Sequence, residues 1–531
     1  MSDATVIIAL ETTLPGHPLT PALPSDPQRV LLTGATGFVG QALLERLLRT
    51  GQAHVWVLVR PRGPRPGADR IRALLRKSVF AAWENEIGAE ALAEVVRSRV
   101  TVLEGDLRDV PALPADLDLV LHSASSVTFD EPADRAFRTN VGGPAALYRA
   151  LGAAGGDPHV VHVSTAYVWT GRTDVGRERP VDHDLDWRAE LTDVLRERDR
   201  VVASHGEHEV DTRMRVAGRE RARRHGWTDV YTMTKALGER VAEQEWAGRG
   251  HRLTIVRPTI IESALSTPFP GWIDGFKVAD PLIAAYARGH LTGFPGRAEA
   301  VLDIVPVDQV VATILAAAVS APDARACRYL QVGSSTSNPL SLAELRRHVQ
   351  GYFSAQPWVR RDGVVVRATP WEFGDPGTIT RRLHRGLGVV GGAAGALRRV
   401  RIPARRSLER LDTLQHRLET MNHLVEIYAP YTCASTVYDD TNTRALHADG
   451  ADWRVGDIDW SAYLRGSHLP AVVGLMRGRP PRPAARRRAP RPVKRVGSGA
   501  QALEGDEREV ARLAAERARR GRGVAAPRAT A

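Results

Sequence analysis

The sequence predicts an α/β protein: a doubly wound parallel sheet with a substrate subdomain, followed by a mostly helical C-terminal domain. Three observations predict it. Strand and helix patterns alternate from Arg29 onward, a glycine-spaced turn joins the first strand to the first helix, and a Tyr-x-x-x-Lys pair follows on a later helix. Alternating β-α-β patterns lay strands side by side in parallel and cover both faces of the sheet with helices. A glycine turn at the first β-α junction marks the Rossmann type.

The elements follow in order. Residues 1–28 have early acids, several prolines and no basic run before an apolar one, so they read as a loose leader and not as a secretory signal. Arg29–Leu32 is a short apolar strand and Gln41–Thr50 an amphipathic helix. Strands are predicted at Val55–Val59, Arg99–Glu104 and Leu117–His122, then a helix over Ala133–Leu151 and a strand at His159–Val163. Residues 169–230 form a polar insertion too long for an ordinary loop, so it is predicted to be helical or functional. The sheet pattern resumes at Leu253–Val256 and closes a first large domain spanning 29–339. Residues 340–475 read as the mostly helical second domain, with helical periodicity over Arg398–Leu418. Residues 476–531 are rich in Arg, Pro, Ala and Gly and are predicted to be a basic disordered tail, with an isolated charged helix at Gln501–Gly521.

At 531 residues and 57.9 kDa the chain has room for about three domains. Its two cysteines, Cys327 and Cys433, cannot build a disulfide framework or a zinc cluster. A reducing, cytoplasmic setting and no structural metal are therefore expected. The net charge of +12 suggests nucleic acid until its distribution is read. Residues 476–531 carry 16 Lys and Arg against 5 Asp and Glu, so the tail holds +11 and the body is nearly neutral. No aromatics interleave the tail arginines, which argues against nucleic acid as a partner.

Residues 33–40 read Thr-Gly-Ala-Thr-Gly-Phe-Val-Gly. Gly34, Gly37 and Gly40, three apart between strand and helix, allow a sharp turn, close approach of a pyrophosphate and tight helix-to-strand packing. Thr36, Phe38 and Val39 belong to the same loop. The next strand ends at Arg60, with no acid before Asp69. A carboxylate there would suit a ribose 2′-hydroxyl, whereas a guanidinium grips a 2′-phosphate, so the cofactor is expected to be NADPH. Asp106 and Leu107, after the third strand, are placed beside the adenine, the alternative being an ordinary surface turn.

Tyr231 and Lys235 stand at i and i+4, on one helical face. A nearby ammonium would favour the phenolate and bring Tyr231 toward the working range for proton transfer. Only Lys77, Lys235, Lys277 and Lys494 are lysines among 73 cationic residues, so a lysine at this position suggests a demand for a compact ammonium. At the end of the strand His159–Val163, Thr165, with Ser164 in reserve, can hydrogen-bond a reacting oxygen.

These residues resemble the extended short-chain dehydrogenase/reductases, and further stretches resemble the alcohol-forming fatty acyl-CoA reductases. They are LLTGATGFVGQALLERLLR (31–49), HVSTAYV (162–168), RERARRHGWTDVYTMTKALGER (219–240), IVRPTIIESALSTPFPGWIDG (255–275), AVLDIVPVDQVV (300–311), YAPYTCASTVYDDTNTRAL (428–446) and DIDWSAYL (457–464). The resemblance covers roughly 29–475 and excludes the leader and tail. It implies that Thr165, Tyr231 and Lys235 form the active site and that Arg60 contacts the 2′-phosphate. It implies that Pro258, Thr259 and Ile261 flank the nicotinamide. It also implies that a fatty acyl-CoA thioester is reduced by NADPH through the aldehyde to a primary alcohol, with release of CoA. An aldehyde-forming enzyme, a carrier-protein thioester reductase and a non-catalytic NADP sensor are the alternatives.

The apolar, glycine-rich run Leu387–Leu397 within Arg381–Arg406 has basic flanks and is too short to span a bilayer. It suits peripheral contact with an anionic membrane, as does the tail, or else a buried helix with solvated arginine ends.

Overall fold

Short runs of apolar, largely β-branched residues form a parallel sheet of seven strands: β1 (Arg29–Thr33), β2 (His54–Val59), β3 (Val100–Glu104), β4 (Leu119–His122), β5 (His159–Val163), β6 (Leu253–Pro258) and β7 (Cys327–Val332). The computed structural model describes residues 29–483, apart from 62, 290–292, 368–370, 400–404, 435 and 449–452. The strand order is β7-β6-β5-β4-β1-β2-β3, and every neighbouring pair is parallel. Strands β1, β4 and β6 are almost wholly buried, as both faces of a helix-covered sheet require. The order reverses between β1 and β4. At that switch point the loops beyond the strand ends diverge and leave a crevice for a ligand.

The long helix predicted over Ala133–Leu151 is present but interrupted. It runs as Ala133–Phe137, a wide turn at Arg138–Gly142, and Gly143–Ala154. The insertion is helical, as Trp187–His205 and Glu207–Arg224. The first of these starts on an Asp186 side chain that accepts from the amides of Arg188 and Ala189.

Beyond residue 340 the chain is mostly helical and interleaves with the sheet region. Val437–Tyr438 pairs with Val175–Gly176, and Glu372–Gly374 pairs with Gly293–Pro295. The Leu387–Leu397 run lies within the helix Pro376–Arg399, which packs on the helix Arg405–Thr432. Val390 and Ala394 are buried while Val389 is exposed. Among the described residues no helix is long and apolar enough to cross a membrane. The leader, the basic tail from Ala484 and the charged helix expected at Gln501–Gly521 lie outside the described residues.

Candidate active site

The glycine loop closes on backbone. Gly34 has φ +76°, and a Cβ there would lie 2.6 Å from the Ala124 nitrogen, in the loop after β4. A Cβ on Gly40 would lie 2.1 Å from the Gly34 carbonyl oxygen, so any side chain would force the first helix, Phe38–Thr50, off β1. That helix begins at Gly37 with no side-chain cap and no acid in its first turn. Its leading N–H groups and dipole therefore favour an anion, and the residues fit a dinucleotide pyrophosphate. Phe38 stacks on Trp272 at 5.1 Å, and Lys277 Nζ stands 4.1 Å above the Phe38 ring. Val39 is half-buried against the core.

Arg60 follows β2 with its side chain largely exposed, 4.0 Å from Asp106. Partial burial would raise the Asp106 carboxyl, but hydrogen bonds from Arg108 and the charges of Arg108 and Arg60 outweigh it and hold it ionised below the usual range. Leu107 packs where a Cβ on Gly143 would fall, 3.1 Å away. Sequence reasoning missed Arg70. From the helix Gly67–Leu74 it donates to the Arg60 carbonyl at 2.6 Å and to the Thr36 hydroxyl at 3.1 Å. It thereby ties the strand end to the glycine loop. Its spacing of ten from Arg60 follows no simple periodicity, because a turn intervenes.

Thr165 sits just past β5 and begins a short helical turn, accepting from the Tyr167 amide at 3.3 Å. Its hydroxyl donates to the Pro258 carbonyl at 3.2 Å and lies near enough to the Tyr231 phenol to act on it. Ser164 is buried, and its Oγ has no hydrogen-bond partner. Tyr231 and Lys235 lie on the helix Val230–Glu245, whose N-terminus is closed by a reciprocal Asp229–Thr232 capping box. Lys235 Nζ donates to the Val163 carbonyl at 2.7 Å. Three hydroxyl or ammonium groups from two segments thus converge at the carboxyl end of the sheet.

The electrostatics differ from the expectation for Tyr231. Burial dominates and pushes its phenol well above the usual range, with the Thr165 hydrogen bond opposing. Burial also pulls the Lys235 ammonium down to about 8, with the Glu239 charge opposing. The ammonium is engaged by the strand-end carbonyl of Val163, and burial outweighs the other influences on the phenol. At neutral pH Tyr231 is a protonated donor and Lys235 remains a cation. We expect kcat/KM for the nicotinamide cofactor to be level near neutrality and to fall about tenfold per pH unit above about pH 8, as Lys235 loses its proton. A profile measured from pH 6.5 to 9.5 that stays level would reject this assignment.

Two buried histidines beneath the site were also not anticipated. His122 Nδ1 is 2.8 Å from the Thr33 hydroxyl, and His162 Nδ1 is 2.7 Å from the Tyr148 hydroxyl. Burial first, then the Lys235 charge, hold both neutral, His122 at about 3. Asn140, in the wide turn, accepts from the Ser126 amide and donates to Thr234 on the helix Val230–Glu245. Tyr431 comes from the C-terminal region. Its hydroxyl donates to Asp229, and its ring lies 5.1 Å from both Phe129 and Tyr167. Phe129 in turn meets the Tyr231 ring edge-on at 5.6 Å.

The stretch Pro258, Thr259, Ile261 lies alongside. The Thr259 amide donates to the Val332 carbonyl at 3.0 Å, and Ile260–Glu262 pairs with Ile304–Pro306. Ile261 is only partly buried.

A parallel sheet with an uncapped glycine-loop helix at its switch point defines a nucleotide-binding protein of the Rossmann type. Residues 32–314 match the family described as male sterility protein, an NAD-binding domain, and the chain belongs to that family. Its relatives include fatty acyl-CoA reductase 1 of Arabidopsis thaliana, 27% identical over 84% of this chain and 96% of that one. The alcohol-forming fatty acyl-CoA reductase of Simmondsia chinensis is 29% identical over 84% of this chain and 97% of that one. The terminal R domain of the myxalamid PKS-NRPS pathway shares the fold at 19% identity, with a TM-score of 0.53 over 88% of this chain and 94% of that one. The chain is thus an oxidoreductase of the fatty acyl-CoA reductase family with an NAD(P)-binding fold.

Proposed function

We propose that the chain reduces a fatty acyl-CoA thioester with NADPH, through the aldehyde, to a primary alcohol. The convergence of Thr165, Tyr231 and Lys235 beside the uncapped helix N-terminus carries this reading, and kinship with reductases named for acyl-CoA supports it.

Gly34, Gly37 and Gly40 hold the pyrophosphate against the helix N-terminus, with Thr36, Phe38 and Val39 completing the loop. Asp106 and Leu107 border the adenine, and Pro258, Thr259 and Ile261 border the nicotinamide. When bound, the nicotinamide supplies hydride to the substrate carbonyl. Thr165 and Tyr231 hydrogen-bond the carbonyl oxygen and stabilise the charge that develops on it. Collapse of the resulting hemithioacetal breaks the C–S bond and expels CoA thiolate. In the second reduction Tyr231, protonated at neutral pH, gives its proton to the alkoxide. Lys235 holds the ribose and restores charge balance as the phenolate forms. The aromatic wall of Phe129, Tyr167 and Tyr431 keeps water from the reacting atoms.

Incubation of the purified chain with NADPH and a panel of acyl-CoAs, with mass-spectrometric product identification, tests the reading. Primary alcohol with free CoA is expected. Aldehyde alone would make it an aldehyde-forming reductase, and no turnover of any acyl-CoA would refute the substrate class.

Arg60 gives a second test. Its guanidinium stands free enough to meet a 2′-phosphate, so Arg60→Ala is expected to raise KM for NADPH by about 10- to 150-fold, the value of one charge-assisted contact. KM for NADH should move little. Equal effects on both cofactors would assign Arg60 no part in cofactor choice.

A further inference from the structure

A cluster unused by the chemistry lies beyond the nicotinamide loop. Glu262 ends the strand Ile260–Glu262, Asp280 begins the helix Asp280–Ala287, and His468 lies in the turn before the last described helix, Leu469–Met476. All three are buried, at 1%, 0% and 1% exposure. Both Glu262 carboxylate oxygens and Asp280 Oδ1 are buried without a well-formed hydrogen bond, although the Ala279 amide lies near Glu262. Such groups are costly to leave unsatisfied.

We propose that Glu262, Asp280 and His468 bind one divalent transition-metal ion of the Zn2+ class. One ligand atom from each lies within 4.8 Å of the others. His468 Nε2 is 3.3 Å from Asp280 Oδ1 and 3.9 Å from Glu262 Oε2. Tetrahedral ligands at about 2.0–2.2 Å from an ion stand roughly 3.3–3.6 Å apart. The Asp280–His468 pair already has that spacing, and a modest rotation of Glu262 completes the set.

The surrounding groups orient the ligands. His468 Nδ1 is 3.1 Å from Ser263 Oγ, which donates to the Tyr463 hydroxyl at 3.3 Å, and Tyr463 donates to the Ser263 carbonyl at 2.7 Å. With its own proton committed to Tyr463, Ser263 Oγ accepts from Nδ1–H, which turns Nε2 toward the carboxylates. A partner on the second ring nitrogen is the usual support of a metal-bound histidine. Asp280 Oδ2 takes the Lys277 amide at 2.6 Å, leaving Oδ1 for the ion. Charge agrees as well. Two carboxylates and a neutral imidazole balance a 2+ ion, whereas without one the dry pocket holds two acids against a single histidine. Lys277 acts on both acids, but its ammonium donates to the Asp274 carbonyl. An imidazole ligand argues for zinc-like ions over Mg2+ or Ca2+. The ion would clasp the segment at His468 to the reductase body, and this inference does not depend on which thioester is reduced.

The test uses the full chain, stripped with a chelator and titrated with Co2+ and then Zn2+. One equivalent of Co2+ per chain should bind with visible d–d absorption and be displaced by Zn2+, and Zn2+ should raise the melting temperature. Glu262→Gln and His468→Ala should lose that equivalent, and Ser263→Ala should weaken it by about 10- to 100-fold. The wild-type Co2+ spectrum needs no folded variant. A wild-type chain that binds no Co2+ and melts alike with Zn2+ or chelator would overturn the proposal, leaving an ion pair that shares a proton. Unchanged binding in folded Glu262→Gln would overturn it too, by placing the ion elsewhere.

Discussion

Tyr231→Phe is expected to lower turnover by about 10²–10⁴-fold while cofactor binding stays near wild type. The phenol is protonated at neutral pH, burial pushing it further above its ordinary value, and Thr165 at the strand end acts on it. Phenylalanine keeps the ring and its edge-on contact with Phe129, so packing is preserved and only the proton and hydrogen bond are lost. Lys235 stays on the Val163 carbonyl, so its own position is unaltered. Single-turnover kinetics and fluorescence titration of NADPH separate the two effects. Turnover within a few-fold of wild type would remove Tyr231 from the mechanism.

The largest expected effect on stability falls on a pair that touches no reacting atom. Arg257, at the end of β6, is fully buried and grips Glu239 through two hydrogen bonds of 2.9 and 2.7 Å. Its Nη1 donates to the Arg177 and Arg179 carbonyls. Glu239→Ala would strand a buried guanidinium, and a loss of about 3–5 kcal/mol is expected from urea unfolding. The double change Glu239→Leu with Arg257→Met should recover most of it, because no uncompensated charge then remains in the core. Glu239 also raises the Lys235 ammonium from one helical turn away. In any folded Glu239 variant the alkaline limb of activity should therefore move to lower pH. A limb that stays put would uncouple the two residues.

The fold and the site were legible in the sequence to different degrees. The Rossmann-type sheet could be read because both of its signals are local. Apolar runs of strand length and a glycine triad depend on backbone sterics within a few residues, and those do not await a partner. Strand positions were accordingly right to within a residue or two, as at Leu117–His122 against the observed Leu119–His122. The Tyr-x-x-x-Lys pair was legible for the same reason, since helical geometry alone puts both on one face.

What the sequence by itself determined is the set of local motifs: the glycine loop, the Arg60 strand end, and the Thr165, Tyr231 and Lys235 positions. Only the tertiary structure decided how those groups behave. The Tyr231 phenol is raised and not lowered, because burial dominates, and its ring is met edge-on by Phe129 from a distant segment. Arg70, the His122–His162 pair and the Glu262–Asp280–His468 cluster likewise bring together residues up to 206 positions apart, with no shared period to reveal them. Proximity and burial are properties of the packed chain, and they set the charge state of every titratable group in the site.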